Sequence, residues 1–193
     1  ASGLAVSGAL LAQISMASTA SGAPTDYRRV ALTGEIADGS TRPFGTGPDG
    51  VSFSHPVINN FGLITFTARL SGSQVTFGSN DRGVFLNSGP GPGSTNIQLA
   101  RGGAPAPGTA ENYQLNADPQ SLLSNTGIAA FGSALAGAGV TTANESAFFT
   151  TDPAHTPGLW AREGSAAPGI ADVTFGAPNV NNLALSGFHM TAG

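Results

Sequence analysis

The sequence predicts an all-β protein made of tandem four-stranded repeats of about 60 residues, arranged as β-propeller-like blades. Three observations lead to this prediction. Blocks of similar sequence recur along the chain in a fixed order. The 193 residues include 28 glycines and 13 prolines, so turns are dense. Short runs rich in Val, Ile, Phe and Thr lie between those turn residues, and no segment has a convincing helical period.

The clearest column of the repeat is a strand that opens with glycine. "GLAVSGALL" begins at Gly3, "GLITFTARL" at Gly62 and "GIAAFGSAL" at Gly127, and a fourth copy, "ALSGFHM", begins at Ala184. The steps between these positions are 59, 65 and 57 residues. A recurring period of this length is the sequence signature of a repeat architecture.

Further columns recur in the same order. Blocks similar to "AREGSAAPG" carry two glycines at aligned positions. The segment before each opening strand contains a proline at which the chain turns, and a loop later in the unit contains an asparagine. The aligned positions are Gly34, Gly103 and Gly164; Gly39, Gly108 and Gly169; Pro56, Pro119 and Pro178; and Asn80 and Asn144.

These columns define one array over 1–193, with units at about 3–61, 62–126 and 127–183 and a further unit starting at 184–193. We expect the chain to be a fragment of a longer protein, because three units do not close an ordinary propeller of roughly four to eight blades. The predicted strands lie near 3–10, 28–36, 51–58, 62–70, 82–87, 96–102, 127–135, 147–151, 158–163 and 172–180.

The opening strand over 62–70 has apolar or small residues on one face, and Leu63, Thr65, Thr67 and Arg69 on the other. In the next copy, over 127–135, both faces are apolar or small. A strand with water on one face alternates more sharply. We therefore expect sheets that are covered on both sides, with Phe66 and Phe131 as equivalent core positions. An open stacked β array is the alternative to propeller blades.

Composition narrows the range of functions. Charged residues make up only 9% of the chain, the net charge is −4, and all seven basic residues are arginines without a basic run, so no nucleic-acid partner is expected. The absence of cysteine excludes disulfides and thiolate metal sites. No apolar run reaches the length of a membrane span.

The segments "VINNFGLITFTARLSG" and "LARGGAPAPGT" resemble bacterial secreted or surface tandem-repeat proteins that carry an N-x-x-G-x-x-x-x-N signature, whose function is uncharacterised. Asn59 and Gly62 match the first half of that signature. Later copies have Ser124 with Gly127 and Asn181 with Ala184, and the second asparagine is replaced by Thr67, Gly132 and His189. The resemblance implies an extracellular or cell-surface location and no particular activity.

Few residues suggest a chemical site. His55, His155 and His189 fall in different columns without metal-binding spacing, and the eleven carboxylates are scattered, so the sequence predicts no enzyme. Asp81 in "SNDRGVF" approximates an Asp-box turn. We expect it to bond its own loop backbone, with calcium binding as the alternative and the sole cofactor considered.

The candidate ligand-binding residues are Arg101, Arg162 and Trp160. The two arginines share a repeat column, where they could rim a glycan site or pack over a neighbouring sheet and bond loop carbonyls. The only tryptophan of the chain lies two residues before Arg162. Core packing is its expected role, and a sugar-stacking platform is the alternative.

Repetition, low charge and the lack of a recognisable site favour an extracellular structural or adhesive surface protein that self-associates into a ring or a filament. The alternative is a carbohydrate-binding β-propeller module with surface glycans as partners. A secreted hydrolase has no support from individual residues.

Overall fold

The computed structural model describes residues 29–37, 40–50, 52–89, 94–115 and 119–176. Within them the secondary structure is antiparallel β, and no helix occurs. Sheet 1 contains β1 to β4 in sequence order: Phe53–Ile58, Ile64–Arg69, Arg82–Asn87 and Asn96–Arg101. Sheet 2 contains β5 to β9: Asn112–Gln114, Ser121–Leu123, Ala129–Ala136, Ser146–Thr151 and Pro157–Arg162.

The predicted all-β class is confirmed, and three details of the strand prediction are wrong. Over 172–176, the described part of the strand expected at 172–180, only an isolated bridge from Ala166 to Thr174 forms. No strand forms over 29–37, where a single bridge joins Ile36 to Pro43, because the chain turns back at Gly34 with φ +91°. The three-residue strands β5 and β6, which pair with opposite ends of β7, were not predicted, because they are too short to show a period. The strand expected at 3–10 lies outside the described residues.

Each sheet contains the same cluster of three aromatic rings. In sheet 1 the rings of Phe66 and Phe85 stack with centroids 5.6 Å apart, and Phe44 meets Phe85 edge-on at 5.1 Å. In sheet 2 the rings of Phe131 and Phe149 stack at 5.6 Å, and Tyr113 meets Phe149 edge-on at 4.9 Å. Such offset and edge-on pairs are the favoured aromatic geometries. The two clusters occupy matching register positions, since Phe66 pairs with Phe85 and Phe131 with Phe149.

A short hairpin leads to the first ring of each cluster. The amides of Gly34 and Gly103 donate to the carbonyls of Phe44 and Tyr113 at 2.7 and 2.8 Å. A third hairpin has the same bond, from Gly164 to the carbonyl of Phe175 at 2.9 Å. The three glycines have φ between +76° and +91°, a region in which a side chain is strained, so glycine is required there.

The ring cluster of sheet 2 packs on the back of sheet 1. Its Phe131 and Phe149 share one buried core with Val84, Leu86 and Leu99 of sheet 1. The ring cluster of sheet 1 lies in a second core on the opposite side of that sheet. Sheet 1 is therefore covered on both faces, as its sequence pattern predicts: every residue of β3 is buried, and so are five of the six residues of β2.

Polar side chains join the two sheets beside the aliphatic core. The Thr67 hydroxyl donates to the carbonyl of Pro119 at 2.7 Å, and the Ser121 hydroxyl donates to Thr65 at 2.9 Å. Asn59 accepts hydrogen bonds from the amide of Leu63 and donates through Nδ2 to the carbonyl of Ser124. The first half of the Asn-Gly signature thus closes the β1–β2 turn and contacts the next sheet. Within the described residues the two sheets do not close into a ring or a barrel.

Candidate functional site

A β-bulge in the last strand of each sheet, β4 or β9, determines where one side chain of that strand points. In sheet 1, Leu99 of β4 is the extra residue between the two pairings with β3; in sheet 2, Trp160 occupies the same place in β9. Bulges redirect side chains and often lie beside binding sites. Leu99 is 5% exposed because sheet 2 covers it, whereas Trp160 is 58% exposed. The expectation that Trp160 packs in the core is therefore wrong.

Trp160 lines a cleft of about 200 Å³ on the outer face of sheet 2. Phe148 of β8 meets the indole edge-on, with ring centroids 6.4 Å apart. The hairpin over 164–175 carries Phe175 to another side of the cleft. The lining residues are Phe148, Trp160, Ala161, Arg162, Glu163, Phe175 and Gly176.

Arg162 is held by partners inside its own sheet. Its two terminal nitrogens donate to both carboxylate oxygens of Glu111 at 3.1 and 3.2 Å, and its Nε donates to the carbonyl of Asn144 at 2.9 Å. This bidentate pairing lowers the pKa of Glu111 below its ordinary value, chiefly through the hydrogen bonds from Arg162. The positive charge of Arg162 is thus matched by one acid.

Unlike Arg162, which pairs with Glu111, Glu163 has no oppositely charged partner among the described residues. The side chain is 6% exposed, and its Oε2 is buried without a hydrogen-bond partner in the part of the chain that the structure describes. Its backbone amide donates to the carbonyl of Ser146, as the amide of Gly102 donates to that of Arg82 in sheet 1. Glu163 therefore places a carboxylate where sheet 1 has no side chain.

The structure does not bring the predicted residues into one site. Arg101 ends β4 of sheet 1 with its Nε buried and unbonded, and it does not line the cleft that contains Trp160 and Arg162. The position that corresponds to Glu111 in the first hairpin is Arg42, so no acid is available there for Arg101.

Asp81 lies in a buried charge cluster at the end of sheet 1. It accepts a hydrogen bond from the amide of Gly78 at 2.8 Å, which confirms the expected bond to its own loop, and it also pairs with Arg69. Arg69 has a second acid partner in Asp49 at 2.7 Å. Burial, followed by repulsion from Arg69, lowers the pKa of the neighbouring Arg82.

A glycine makes this cluster compatible with its loop. A Cβ on Gly47 would lie 2.3 Å from Nε of Arg69, so only glycine permits the loop to approach the guanidinium.

No group of three or more His, Asp or Glu residues with metal-binding geometry is found among the described residues. In the same residues no helix is long and apolar enough to cross a membrane.

Sequence reasoning missed the residues that complete the cleft. In the sequence, Glu111 and Glu163 are two of the scattered carboxylates, and nothing there distinguishes Phe148 or Phe175. One signal was visible for Glu163, because "AREG" carries a glutamate where the preceding copy, "ARGG", has Gly102. The partnership of Glu111 with Arg162 spans 51 positions and had no local signal.

Comparison with known proteins places the chain in a family without an assigned activity. The model of a family of unknown function, DUF7453, matches residues 5–192. The chain belongs to the DUF7453 family. No curated protein and no solved structure matches it. Membership of DUF7453 therefore adds no residue roles, and a functional proposal has to rest on the geometry described above.

Proposed function

We propose that this chain is an extracellular structural or adhesive surface protein, built from stacked four-stranded units of the β-propeller-blade type, and that it self-associates. One observation carries the proposal: the two sheets have the same ring cluster, the same bulge and the same preceding hairpin, and sheet 2 packs its ring cluster on the back of sheet 1. If each unit stacks on a copy of itself, the array can grow by adding units through the same unit-to-unit interface.

Two further features support association between chains. β4 and β9 are edge strands of their sheets in the described residues, and the chain has no lysine, a residue that often blocks edge pairing. β1 is also an edge strand, but Pro56 and a bulge between Ser54 and Val57 protect it. The resemblance to secreted tandem-repeat proteins is the basis for the extracellular location. The end segments at 3–11 and 184–190, in which we expect inner-type strands, lie outside the described residues.

Self-association is tested with the 193-residue chain itself. Mass photometry and sedimentation velocity over a wide concentration range are expected to detect species larger than one chain, and negative-stain images are expected to contain rings or filaments. A strictly monomeric species at high concentration would contradict self-assembly. Antibody labelling of intact native cells tests the location, since a surface protein is labelled without permeabilisation.

A second candidate function is a carbohydrate-binding β-propeller module. The exposed indole of Trp160 favours it, because a flat aromatic ring at the rim of a cleft can stack on a sugar ring. A glycan array tests this function. Trp160→Ala is expected to abolish a specific signal, whereas Phe61→Ala, which removes a 66% exposed aromatic ring that does not line the cleft, is expected to leave it unchanged. An array without any specific signal would reject this candidate.

A further inference from the structure

The outer face of sheet 2 has a different chemistry from the face of sheet 1 that sheet 2 covers. The covered face presents Val84, Leu86 and Leu99 to a buried core. By register, the corresponding residues of sheet 2 are Phe148, Thr150 and Trp160. Glu163 is added where sheet 1 has glycine. An aliphatic packing surface has thus been replaced by aromatic rings and a carboxylate, which suits a ligand that has an apolar body and one polar group.

A buried, unpaired carboxylate is costly unless a partner compensates it. Glu163 is 94% buried, lines the cleft and forms no ion pair in the described part of the chain. The nearby positive charge of Arg162 is taken by both oxygens of Glu111. Glu163 is therefore the acid at the cleft that has no positively charged partner among the described residues, and a cationic ligand would supply one.

The aromatic wall favours the same ligand charge. Tryptophan is the side chain that attracts cations most strongly through its ring face, and an ammonium next to both an indole and a carboxylate gains from both. A volume of about 200 Å³ lies below the range of drug-sized pockets and holds one side chain or one sugar ring.

We propose that the cleft binds a primary ammonium group carried on a small apolar or ring-shaped body, with Glu163 as its acceptor and Trp160 as its aromatic wall. Two sources carry this chemistry, an amino sugar and a lysine side chain. The inference extends the carbohydrate-binding candidate. A unit stacked on this face of sheet 2 would cover the cleft, so ammonium binding and stacking at this face exclude each other, whereas association through edge strands leaves the cleft open. A monomeric chain that binds the ammonium would refute assembly and leave this site intact.

Trp160 is the only tryptophan in the chain, so its fluorescence reports directly on the cleft. The probes are two matched pairs that differ in charge: glucosamine with N-acetylglucosamine, and Nα-acetyl-lysine amide with Nα-acetyl-norleucine amide. We expect at least one charged probe to change the fluorescence saturably and to bind at least about tenfold more tightly than its neutral partner. Which charged probe binds identifies the source.

Glu163→Gln is expected to weaken that binding at least about tenfold, while Glu145→Gln, which removes the same charge from an exposed position of sheet 2, leaves it unchanged. If Glu163→Gln fails to fold by circular dichroism, Trp160→Phe followed by NMR shift titration replaces it, with weaker binding expected. Equal binding of charged and neutral probes, a full effect of Glu145→Gln, or no response to any probe would overturn the proposal.

Discussion

Sheets 1 and 2 share their apolar framework and differ in their polar ends. The two pairs of rings that the sheets share match to within 0.2 Å in centroid distance, 5.6 and 5.1 Å in sheet 1 against 5.6 and 4.9 Å in sheet 2. At the end of β2, sheet 1 buries Arg69 and Asp81; by register, sheet 2 has Ala134 and Glu145 there. The shared part determines how sheets stack, and the variable part determines what each sheet can bind. Four predictions test this division.

The largest effect is expected in the shared ring cluster. Phe66→Ala and Phe131→Ala each remove a buried ring, and each is expected to lower the free energy of unfolding by about 3–5 kcal/mol in urea titrations. Phe61→Ala is the control, with a change within about 0.5 kcal/mol, because its ring is 66% exposed. Little effect from both core variants would mean that the repeat columns are misaligned.

The next effect is expected in sheet 1 alone. Asp81→Asn leaves Arg69 buried with only the half-exposed Asp49 as its acid partner, so we expect a loss of about 3 kcal/mol. The matched change in sheet 2, Glu145→Gln, is exposed and is expected to cost less than about 0.5 kcal/mol. Equal losses from the two variants, measured by urea unfolding, would contradict the division into shared and variable parts.

A smaller effect of opposite sign is expected at the first ring of sheet 2. Tyr113 is 3% exposed, burial raises the pKa of its phenol, and its hydroxyl has no partner among the described residues. Phe44 and Phe175 occupy the same place in the other hairpins. Tyr113→Phe is therefore expected to stabilise the chain by about 1 kcal/mol, and Phe44→Tyr to destabilise it by a similar amount. Destabilisation by Tyr113→Phe would instead indicate a partner for the hydroxyl.

The sequence was informative where a residue repeats and uninformative where it departs from the repeat. Phe66 and Phe131 were found because their columns keep the same offset from Gly62 and Gly127. The two short strands β5 and β6 were missed, because a strand of three residues has too few positions to show an alternating pattern. The other residues that the sequence did not predict depend on partners that are distant in the sequence.

Trp160 illustrates such a miss. A lone tryptophan in a strand is usually core, and only the packing of neighbouring sheets determines whether its bulge position is covered, as at Leu99, or open. The acidic partner of Arg162 likewise depends on a hairpin 51 positions away. Residues in columns that keep the same residue type were predictable, and residues whose partners vary between units were not.

The smallest effect is expected at the Arg162–Glu111 pair and is confined to acid pH. The pair lowers the pKa of Glu111 in the folded state, so its stabilising contribution is present above the ordinary glutamate pKa and is lost as pH falls through the lower, folded-state value. Glu111→Gln removes this dependence. Thermal unfolding followed from pH 7 downward is expected to give a melting temperature that falls less steeply with acid in the variant than in the unmodified chain.

Arg162→Gln, which removes the cause of the pKa shift of Glu111, should flatten the pH profile of the melting temperature in the same way. Sheet 1 has Arg42 in place of Glu111, so Arg101→Gln is the matched control and should leave the acid slope unchanged. Parallel pH profiles for Glu111→Gln and the unmodified chain would show that the ion pair does not couple to folding.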